Sequence, residues 1–230
     1  MSGGLRVMSA NLKNGAADPE AFGELVEAVE ADLVAVQELG FAQAEALARR
    51  LPFGKLEPRR DHRGMGIALR RPGSVRYVPL RYRGLYVADV DAGGPGADGE
   101  PIEVLNAHIA APHTLPIGRT LSRRRAQLAG LLRYLDRAVA KRRVLVGDLN
   151  STPAWPVYWR LRRRFRDAAI EVARRGDRRP RATWGPWPSG RRLLRIDHAL
   201  VDGLDVRDFR VLPIEGSDHA ALVVDLVVPD

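Results

Sequence analysis

Two apolar runs in the middle of this sequence end in residues that could do acid–base or metal chemistry. The run VLVG is followed by Asp148 and Asn150, and the run VLNA is followed by His108. A buried carboxylate without a partner is energetically costly, so such runs end in charged residues chiefly where a site or a cap uses them. A carboxylate and an imidazole can hold or move a proton, and carboxylate and amide oxygens can ligate a hard cation.

The same pattern recurs towards both ends of the chain. Asn11 follows LRVMSA, Glu38 follows LVAVQ, Asp197 lies within RIDHALV, and Asp218 and His219 precede AALVVDL. Each has an ordinary alternative explanation: an asparagine can form a turn or a cap, a glutamate can begin a helix, and a lone histidine is more often a hydrogen-bonded interior residue. Because so many strand ends of complementary chemical type are improbable by chance, we predict that they form one site.

Composition narrows the chemistry and the partner. Cysteine is absent, which excludes disulfides and thiolate metal sites, so any metal would have oxygen or imidazole ligands. The net charge of +9 and the pI of about 10.7 suit a polyanionic partner. Only Lys13, Lys55 and Lys141 of the 37 basic residues are lysine, however, so the arginine excess is explained equally well by a GC-rich coding sequence.

No feature of the sequence predicts a membrane protein. The N-terminus has no charged leader followed by an apolar segment, and no apolar run approaches the ~20 residues that a bilayer-spanning helix needs. We therefore expect a cytoplasmic protein without a membrane span. The sequence indicates no protein partner.

The elements that must position these residues follow from hydrophobic periodicity. The first sixty residues predict a strand at 5–11, a helix at 19–31, a strand at 32–39 and a second helix at 41–51. From residue 53 to residue 108 short β-prone runs follow one another without helices, which favours antiparallel pairing. Residues 93–100, GGPGADGE, are predicted to form the tip of a hairpin.

The second half predicts a long helix and then a return to strands. A helix over residues 118–141 would place leucines 121, 128, 131, 132 and 135 on one face. It leads into a strand that begins at residue 142. A helix at about 155–165 is followed by an irregular stretch and by strands at 195–201, 206–214 and 220–228. Because side chains alternate along a strand, Asp148 and Asn150 are expected to reach one pocket from one face. We predict one domain over residues 1–230, with mixed or largely antiparallel sheets and helices outside.

The order of the motifs resembles the endonuclease/exonuclease/phosphatase superfamily. The motifs are SANL with Asn11, VQEL with Glu38, NAHIAAP, GDLNSTP, RIDHALV and GSDHAALVVDL, and they extend from Asn11 to His219. The GDxN and SDH elements are the most specific. At the position of His108, apurinic endonucleases carry a Tyr with a Pro-Asn turn. With a histidine there, this chain is more similar to the pancreatic-deoxyribonuclease and sphingomyelinase-like branches.

This resemblance implies a fold and a chemistry. The fold is an α/β four-layer sandwich, in which two mixed, mainly antiparallel sheets pack face to face with helices outside. The activity is phosphate-ester hydrolysis with a divalent cation, usually Mg²⁺ with Mn²⁺ as an alternative. The implied metal ligands are Asn11, Glu38 and Asp218.

The resemblance also implies catalytic roles. Asp197 would orient His219, Asn150 would hold a phosphoryl oxygen or the nucleophile, and His108 would donate to the phosphate or to the leaving oxygen. The general base would be either Asp148 or His219, and the sequence does not decide between them.

The substrate depends on variable loops. Residues 174–192 interleave arginines with tryptophans, and Arg181, Trp184 and Trp187 are candidates for phosphate contact and base stacking. The alternative is that Trp184 packs in the core and the arginines are solvated. We predict a nuclease, endo- or exo-acting, on nucleic acid. A phosphatase or phosphodiesterase for a small metabolite or lipid headgroup is the second interpretation, and a non-catalytic nucleic-acid-binding module is the third.

Overall fold

Two β-sheets and five helices form the regular structure of the residues that the computed structural model describes, which are 4–91, 99–112, 116–188 and 190–229. The strands are β1 (Gly4–Asn11), β2 (Leu33–Gln37), β3 (Phe53–Glu57), β4 (Met65–Leu69), β5 (Ser74–Val78), β6 (Leu85–Val90), β7 (Ile102–Asn106), β8 (Arg142–Asp148), β9 (Arg166–Asp167), β10 (Asp197–Asp202), β11 (Asp205–Pro213) and β12 (Ala220–Val227). The helices are α1 (Pro19–Ala28), α2 (Phe41–Arg50), α3 (Ile117–Arg137), α4 (Pro156–Arg162) and α5 (Ala168–Arg175).

The strands form two sheets of six that pack face to face. The first has the order β11-β12-β1-β2-β4-β3, and the second has the order β5-β6-β7-β8-β10-β9. Val7 of the first sheet and Val144 of the second belong to one apolar cluster between them. On the outer faces, Phe22 and Leu47 cover the first sheet, and Leu131 covers the second. The predicted four-layer α/β sandwich is therefore confirmed.

Parallel pairing brings particular strand ends to one edge of the sandwich. Strands β1 and β2 are parallel, as are β7 and β8, and a helix connects the strands of each pair. The other pairings are antiparallel, and Asp197 at the start of β10 lies opposite Asp148 at the end of β8. The carboxyl ends of β1, β2, β7 and β8 thus meet the amino ends of β10 and β12.

Buried amides join the two sheets at this edge. Gln37 Nε2 donates to Asn106 Oδ1 across the sandwich at 2.7 Å, and Asn106 Nδ2 donates to the carbonyl oxygens of Val36 and Gly66 at 2.9 and 2.8 Å. Both side chains are fully buried. Since a buried amide without partners is costly, these bonds favour one relative position of β2 and β7, whose next residues include Glu38 and His108.

Some predicted elements differ from the observed ones. Leu121, predicted on the buried face of α3, is 38% exposed, whereas Leu128, Leu131 and Leu135 are buried. Burial on α3 is therefore concentrated after its first turns. Helix α5 was not predicted and lies within the stretch interpreted as irregular; Asp167 caps it by accepting a hydrogen bond from the Ile170 amide at 3.2 Å.

Two further predictions concern a hairpin tip and membrane-spanning helices. Residues 93–98 of the predicted hairpin tip lie outside the described residues. Among the residues that are described, no helix is both long and apolar enough to cross a bilayer.

Candidate active site

The first two strand ends place an amide and a carboxylate side by side. Asn11 is the last residue of β1 and pairs in register with Gln37, the last residue of β2, so Glu38 follows immediately beside it. Glu38 has φ +54, a left-handed conformation that costs a residue other than glycine free energy and often marks a functional turn. Its Oε2 accepts from the Asn14 amide at 2.9 Å. Helix α2 begins only at Phe41, so Glu38 is not a helix-start acid. Its side chain lines the site instead.

Asp148 lies at the centre of the hydrogen-bond network. Its Oδ2 accepts from Asn11 Nδ2 at 3.1 Å and from Asn150 Nδ2 at 2.9 Å. His108 Nε2 is 3.5 Å and His219 Nε2 is 3.9 Å from the same oxygen. Residues from four separate strand ends therefore converge on one carboxylate.

Asn150 reaches this carboxylate for a different reason from the one predicted. Strand β8 ends at Asp148, and Asn150 has φ +46, so strand alternation does not relate the two side chains. Instead the chain turns back: Asp148 Oδ1 accepts from the Asn150 amide at 2.8 Å, which is an Asx turn. The prediction that both reach one pocket holds, but its strand-based reason was wrong.

His219 forms a buried pair with Asp197. Its Nδ1 lies 2.9 and 3.1 Å from the two Asp197 oxygens, and Thr183 Oγ1 donates to Asp197 Oδ2 at 2.6 Å. Burial by itself would lower the pKa of the imidazole, but Asp197, Asp148 and Asp218 raise it to about 9. In the metal-free protein His219 is consequently a cation at neutral pH, with Nε2 directed towards Asp148.

The carboxyl groups of Asp148 and Glu38 are shifted towards their neutral forms. Burial and the neighbouring charge of Asp197 raise the pKa of Asp148 to about 7, and burial raises the pKa of Glu38. Burial and the Arg83 charge hold the pKa of His108 well below its usual value, so its imidazole is neutral. His108 Nδ1 is buried without a hydrogen-bond partner.

These residues fit a divalent cation. Ligand atoms of Asp148, Asp197 and His219 lie within 4.8 Å of one another, close enough for one ion. Burial is the main cause of the raised pKa values of Asp148 and Glu38, and a bound cation would favour the charged form of both carboxylates. Oxygen donors together with one imidazole suit Mg²⁺ or Mn²⁺.

The remaining predicted ligands are close by. Asp218 Oδ2 accepts from Trp184 Nε1 at 3.2 Å and lines the same cleft as Glu38. Asn11 is buried behind the cleft, where its Oδ1 accepts from the Lys13 amide at 3.0 Å. The structure thus brings all eight predicted catalytic and metal-binding residues together.

The site opens into a cleft of about 420 Å³. Its lining consists of Lys13, Asn14, Glu38, His62, Tyr82, Arg83, His108, Ala110, Ala111, Pro112, Thr120, Arg123, Asp148, Asn150, Thr152, Trp155, Trp184, Leu194, Ile196, Asp218 and His219. Of the three predicted substrate-binding residues, Trp184 lines this cleft. Arg181 and Trp187 do not: Arg181 Nη1 lies 3.5 Å from the Val211 carbonyl oxygen, and Trp187 is exposed.

Three supporting residues were not predicted from the sequence. Arg83 lines the cleft although it is buried, and its position two residues before the strand of residues 85–90 is its sequence signal. Thr183 binds Asp197, and nothing in the sequence indicates it. His198 Nε2 lies 2.7 Å from the Ser151 carbonyl oxygen, just after the turn that carries Asn150. His198 follows Asp197, which was predicted as a site residue. Because side chains alternate along a strand, the sequence could have indicated that His198 points to the opposite face of the sheet.

Comparison with known proteins agrees with this fold. A protein from Beutenbergia cavernae described as an endonuclease/exonuclease/phosphatase is 22% identical, with a TM-score of 0.72 over 98% of this chain and 72% of that one. A humanized D. rerio TDP2 is 17% identical, with a TM-score of 0.72 over 98% and 99% of the two chains. The human Nocturnin catalytic domain, solved with a bound sulfate anion, is 19% identical, with a TM-score of 0.69 over 100% and 96%.

Sequence comparison gives a separate result. No curated protein sequence matches the chain. The model of the endonuclease/exonuclease/phosphatase family does match, over residues 8–219, which include every predicted catalytic and metal-binding residue. Members of this family are typically hydrolases that act on phosphate esters with divalent metals. The chain therefore belongs to the endonuclease/exonuclease/phosphatase family.

Proposed function

We propose that this chain is a divalent-metal-dependent phosphodiester hydrolase that acts on nucleic acid. The observation that carries this proposal is the convergence of His108, Asp148 and His219 on one cleft, with Asp197 behind His219. A module that only binds nucleic acid has no use for a buried carboxylate–histidine pair next to a second carboxylate. Nucleic-acid binding without catalysis is therefore the weakest of the three interpretations.

Asp148 is the better candidate for the general base. A base works best when its pKa lies near the working pH, and burial together with Asp197 raises the pKa of Asp148 to about 7. Asn11 and Asn150 each donate to Asp148 Oδ2, which holds the carboxylate in one orientation. Asp148 would thus align a water molecule and accept its proton.

His219 would act as a charged donor. The Asp197 carboxylate at 2.9 Å stabilises the imidazolium, so Nε2 carries a proton that it can donate to a phosphoryl oxygen. His108 is neutral and can supply an N–H to the phosphate from Nε2, but it is a weaker proton donor. Together these donors would stabilise the negative charge on the phosphoryl oxygens in the transition state.

The metal would be held by Glu38, with Asn11 and Asp218 nearby, beside the cluster of Asp148, Asp197 and His219. A cation bound by that cluster itself would compete with the proton-transfer roles proposed for Asp148 and His219. Its chemistry when bound is to neutralise phosphate charge and to polarise the ester. Mg²⁺ is the proposed ion and Mn²⁺ is the alternative, because the donors are mainly oxygens. Glu38 Oε1 lies 3.7 Å from His108 Nε2, so the proposed ligand borders the residues that would contact the phosphate.

The choice of nucleic acid rests on positive charge around the cleft. Lys13, Arg83 and Arg123 line it, and the chain carries a net charge of +9. One observation favours the second candidate, a small phosphate ester: a volume of about 420 Å³ lies within the ~300–1,000 Å³ typical of small-molecule sites. The single domain and the cytoplasmic location stay predictions.

A substrate panel tests the proposal. Purified protein with Mg²⁺ or Mn²⁺ is incubated with plasmid, single-stranded DNA, RNA, sphingomyelin, inositol phosphates and an aryl phosphodiester. We expect cleavage of a nucleic acid, which a chelator and Asp148→Asn abolish. Asp136→Asn is the matched control, because Asp136 is an exposed residue paired with Arg164. Activity on small esters alone would favour the second candidate, and no hydrolysis of any substrate would contradict the enzyme.

A further inference from the structure

Two partly exposed aromatic rings, Tyr82 and Trp155, line the cleft, and we call them the aromatic wall. Tyr82, between β5 and β6, is 41% exposed, and Trp155, directly before α4, is 39% exposed. Both line the cleft that contains Asp148. Residues distant in sequence thus present apolar ring surface beside the groups proposed to cleave a phosphodiester.

Arginines surround these rings. The guanidinium carbon of Arg123 lies 4.8 Å and that of Arg83 lies 5.3 Å from the Tyr82 ring centroid. The guanidinium carbon of Arg124 lies 5.6 Å from the Trp155 ring centroid. These separations are in the range of cation–π contacts, so the wall combines π faces with positive charge.

The wall is connected to the catalytic turn. Arg124, whose guanidinium lies over Trp155, donates through Nη2 to the Asn150 carbonyl oxygen at 3.1 Å and through Nη1 to the Ala110 carbonyl oxygen. Arg124 therefore links Trp155 to Asn150, whose side chain donates to Asp148, the carboxylate proposed to align the water molecule.

Tyr82 is held in a strained conformation. Its φ of +89 lies in a region that residues other than glycine rarely adopt. The neighbouring Arg83 is buried, and its Nε and Nη1 have no hydrogen-bond partner. Strained turns of this kind cluster at ligand sites, where the surrounding structure holds them in place. The turn thus presents an aromatic face to the cleft, with buried guanidinium nitrogens of Arg83 behind it.

This combination matches a planar ring linked to a phosphate. Bases stack on aromatic side chains and on arginine, and the sequence of the bases matters little because every base has a π face. An inositol ring has no such face. A choline headgroup can bind aromatic rings, but the arginines beside these rings would repel its positive charge. A cleft of about 420 Å³ suits one nucleotide, whereas a base inside a duplex is covered by its neighbours.

We infer that Tyr82, Arg123 and Trp155 form a base-stacking subsite, which selects a phosphodiester flanked by an unpaired nucleotide. This inference rests on the proposed function and deepens it, because the substrate becomes single-stranded rather than duplex nucleic acid. The subsite determines specificity and takes no part in proton transfer.

The test compares dinucleoside phosphates with and without one base. The substrates are thymidylyl-thymidine and two analogues in which an abasic tetrahydrofuran replaces one thymidine in turn. We expect kcat/KM of the wild-type protein to fall roughly 5- to 150-fold for one abasic analogue, the equivalent of one stacked base. Trp155→Ala and Tyr82→Ala should lose a similar factor on thymidylyl-thymidine and little on that analogue.

Controls separate stacking from folding. Trp159→Ala removes a 59% exposed tryptophan that does not line the cleft and should leave all rates unchanged. Trp155→Phe keeps an aromatic face and should retain most of the preference for the base. Wild-type protein should also cleave a single strand faster than the same sequence in a duplex.

The outcomes distinguish this inference from the proposed function. Equal rates on base-containing and abasic substrates, or equal losses on both in Trp155→Ala, would overturn the stacking subsite and leave the phosphodiesterase standing. If the wild-type protein cleaves only lipid or inositol esters, the stacking subsite fails along with the choice of nucleic acid. If it cleaves no phosphodiester, the proposed function fails too.

Discussion

Two buried histidine–aspartate pairs lie on opposite faces of strand β10 and differ in charge. Asp197 pairs with His219 on the cleft side, with Nδ1 2.9 Å from a carboxylate oxygen. The next residue, His198, points to the other face, where its Nδ1 lies 4.0 Å from Asp167. Both imidazoles are buried, so burial alone does not distinguish them.

The difference in charge depends on whether the aspartate already has another cation beside it. Arg195 Nη1 lies 2.7 Å from Asp167 Oδ2, so that carboxylate is neutralised before it can stabilise an imidazolium. Burial and the Arg195 charge lower the pKa of His198 to about 4. On the cleft side His219 is the nearest cation to Asp197, and despite burial its pKa rises to about 9. A proton-carrying pair therefore requires an aspartate without another cation.

The largest expected effect follows from removing the charge of each aspartate in turn. Asp197→Asn removes the anion that pairs with His219 Nδ1, and kcat should fall on the order of 10⁴-fold. Asp167→Asn keeps an oxygen for the Ile170 amide and should lose less than about tenfold per folded molecule. Steady-state kinetics, with circular dichroism as a check on folding, measure both. Equal losses of activity would remove the distinction between the pairs.

The second effect concerns stability. Arg195→Met leaves the Asp167 carboxylate buried without its cation, and the free energy of unfolding should fall by about 3–5 kcal/mol. Arg164→Met breaks an exposed pair with Asp136 and should cost about 0–1 kcal/mol. Urea denaturation compares the two variants. A similar small loss in both would mean that Asp167 does not need Arg195.

The two imidazoles should titrate far apart. In metal-free protein, NMR of the imidazole protons should show His219 titrating near pH 9 and His198 near pH 4. Since the unfolded value is about 6.5, the stability from His219 is fully present below that pH and is lost as pH rises towards 9. For His198 the sign is reversed, and stability is lost as pH falls from about 6.5 to 4. A common midpoint near 6.5 would contradict both assignments.

The smallest effect isolates the role of His198. His198→Phe keeps a ring next to Tyr158, whose ring centroid is 5.0 Å away, but leaves the buried Ser151 carbonyl without its donor. We expect a loss of about 1–3 kcal/mol in stability and only a few-fold in kcat. His198→Gln, which retains a donor, should recover part of the stability. Loss of activity as large as that of Asp197→Asn would place His198 in the reaction.

Much of the site could be predicted because it lies at the ends of strands. Apolar runs that stop at Asn11, Glu38, His108 and Asp148 are visible without a structure, since strand periodicity and the cost of a buried charge are local properties. Parallel pairing then makes such ends meet. The order of the motifs identified the superfamily, and the family match over residues 8–219 confirmed it.

Other features could not be predicted from neighbouring residues. Arg181 and Trp187 have suitable side chains, but they do not line the cleft, and the aromatic wall is formed by Tyr82 and Trp155, which the sequence did not single out. A loop's direction depends on what packs beneath it. Helix α5 was missed because it is only 8 residues long and its apolar residues give less than two full turns of periodicity before Arg174 and Arg175.

The sequence by itself determined the strand ends, the chemical types of the residues there and hence the class of chemistry. Only the tertiary structure decided which histidine carries charge. Asp197 and His198 are neighbours in the chain, but the groups that contact them, Thr183, His219, Asp167 and Arg195, come from other positions in the sequence. Charge in a folded protein is a sum over spatial neighbours, and that sum exists only once the chain has folded.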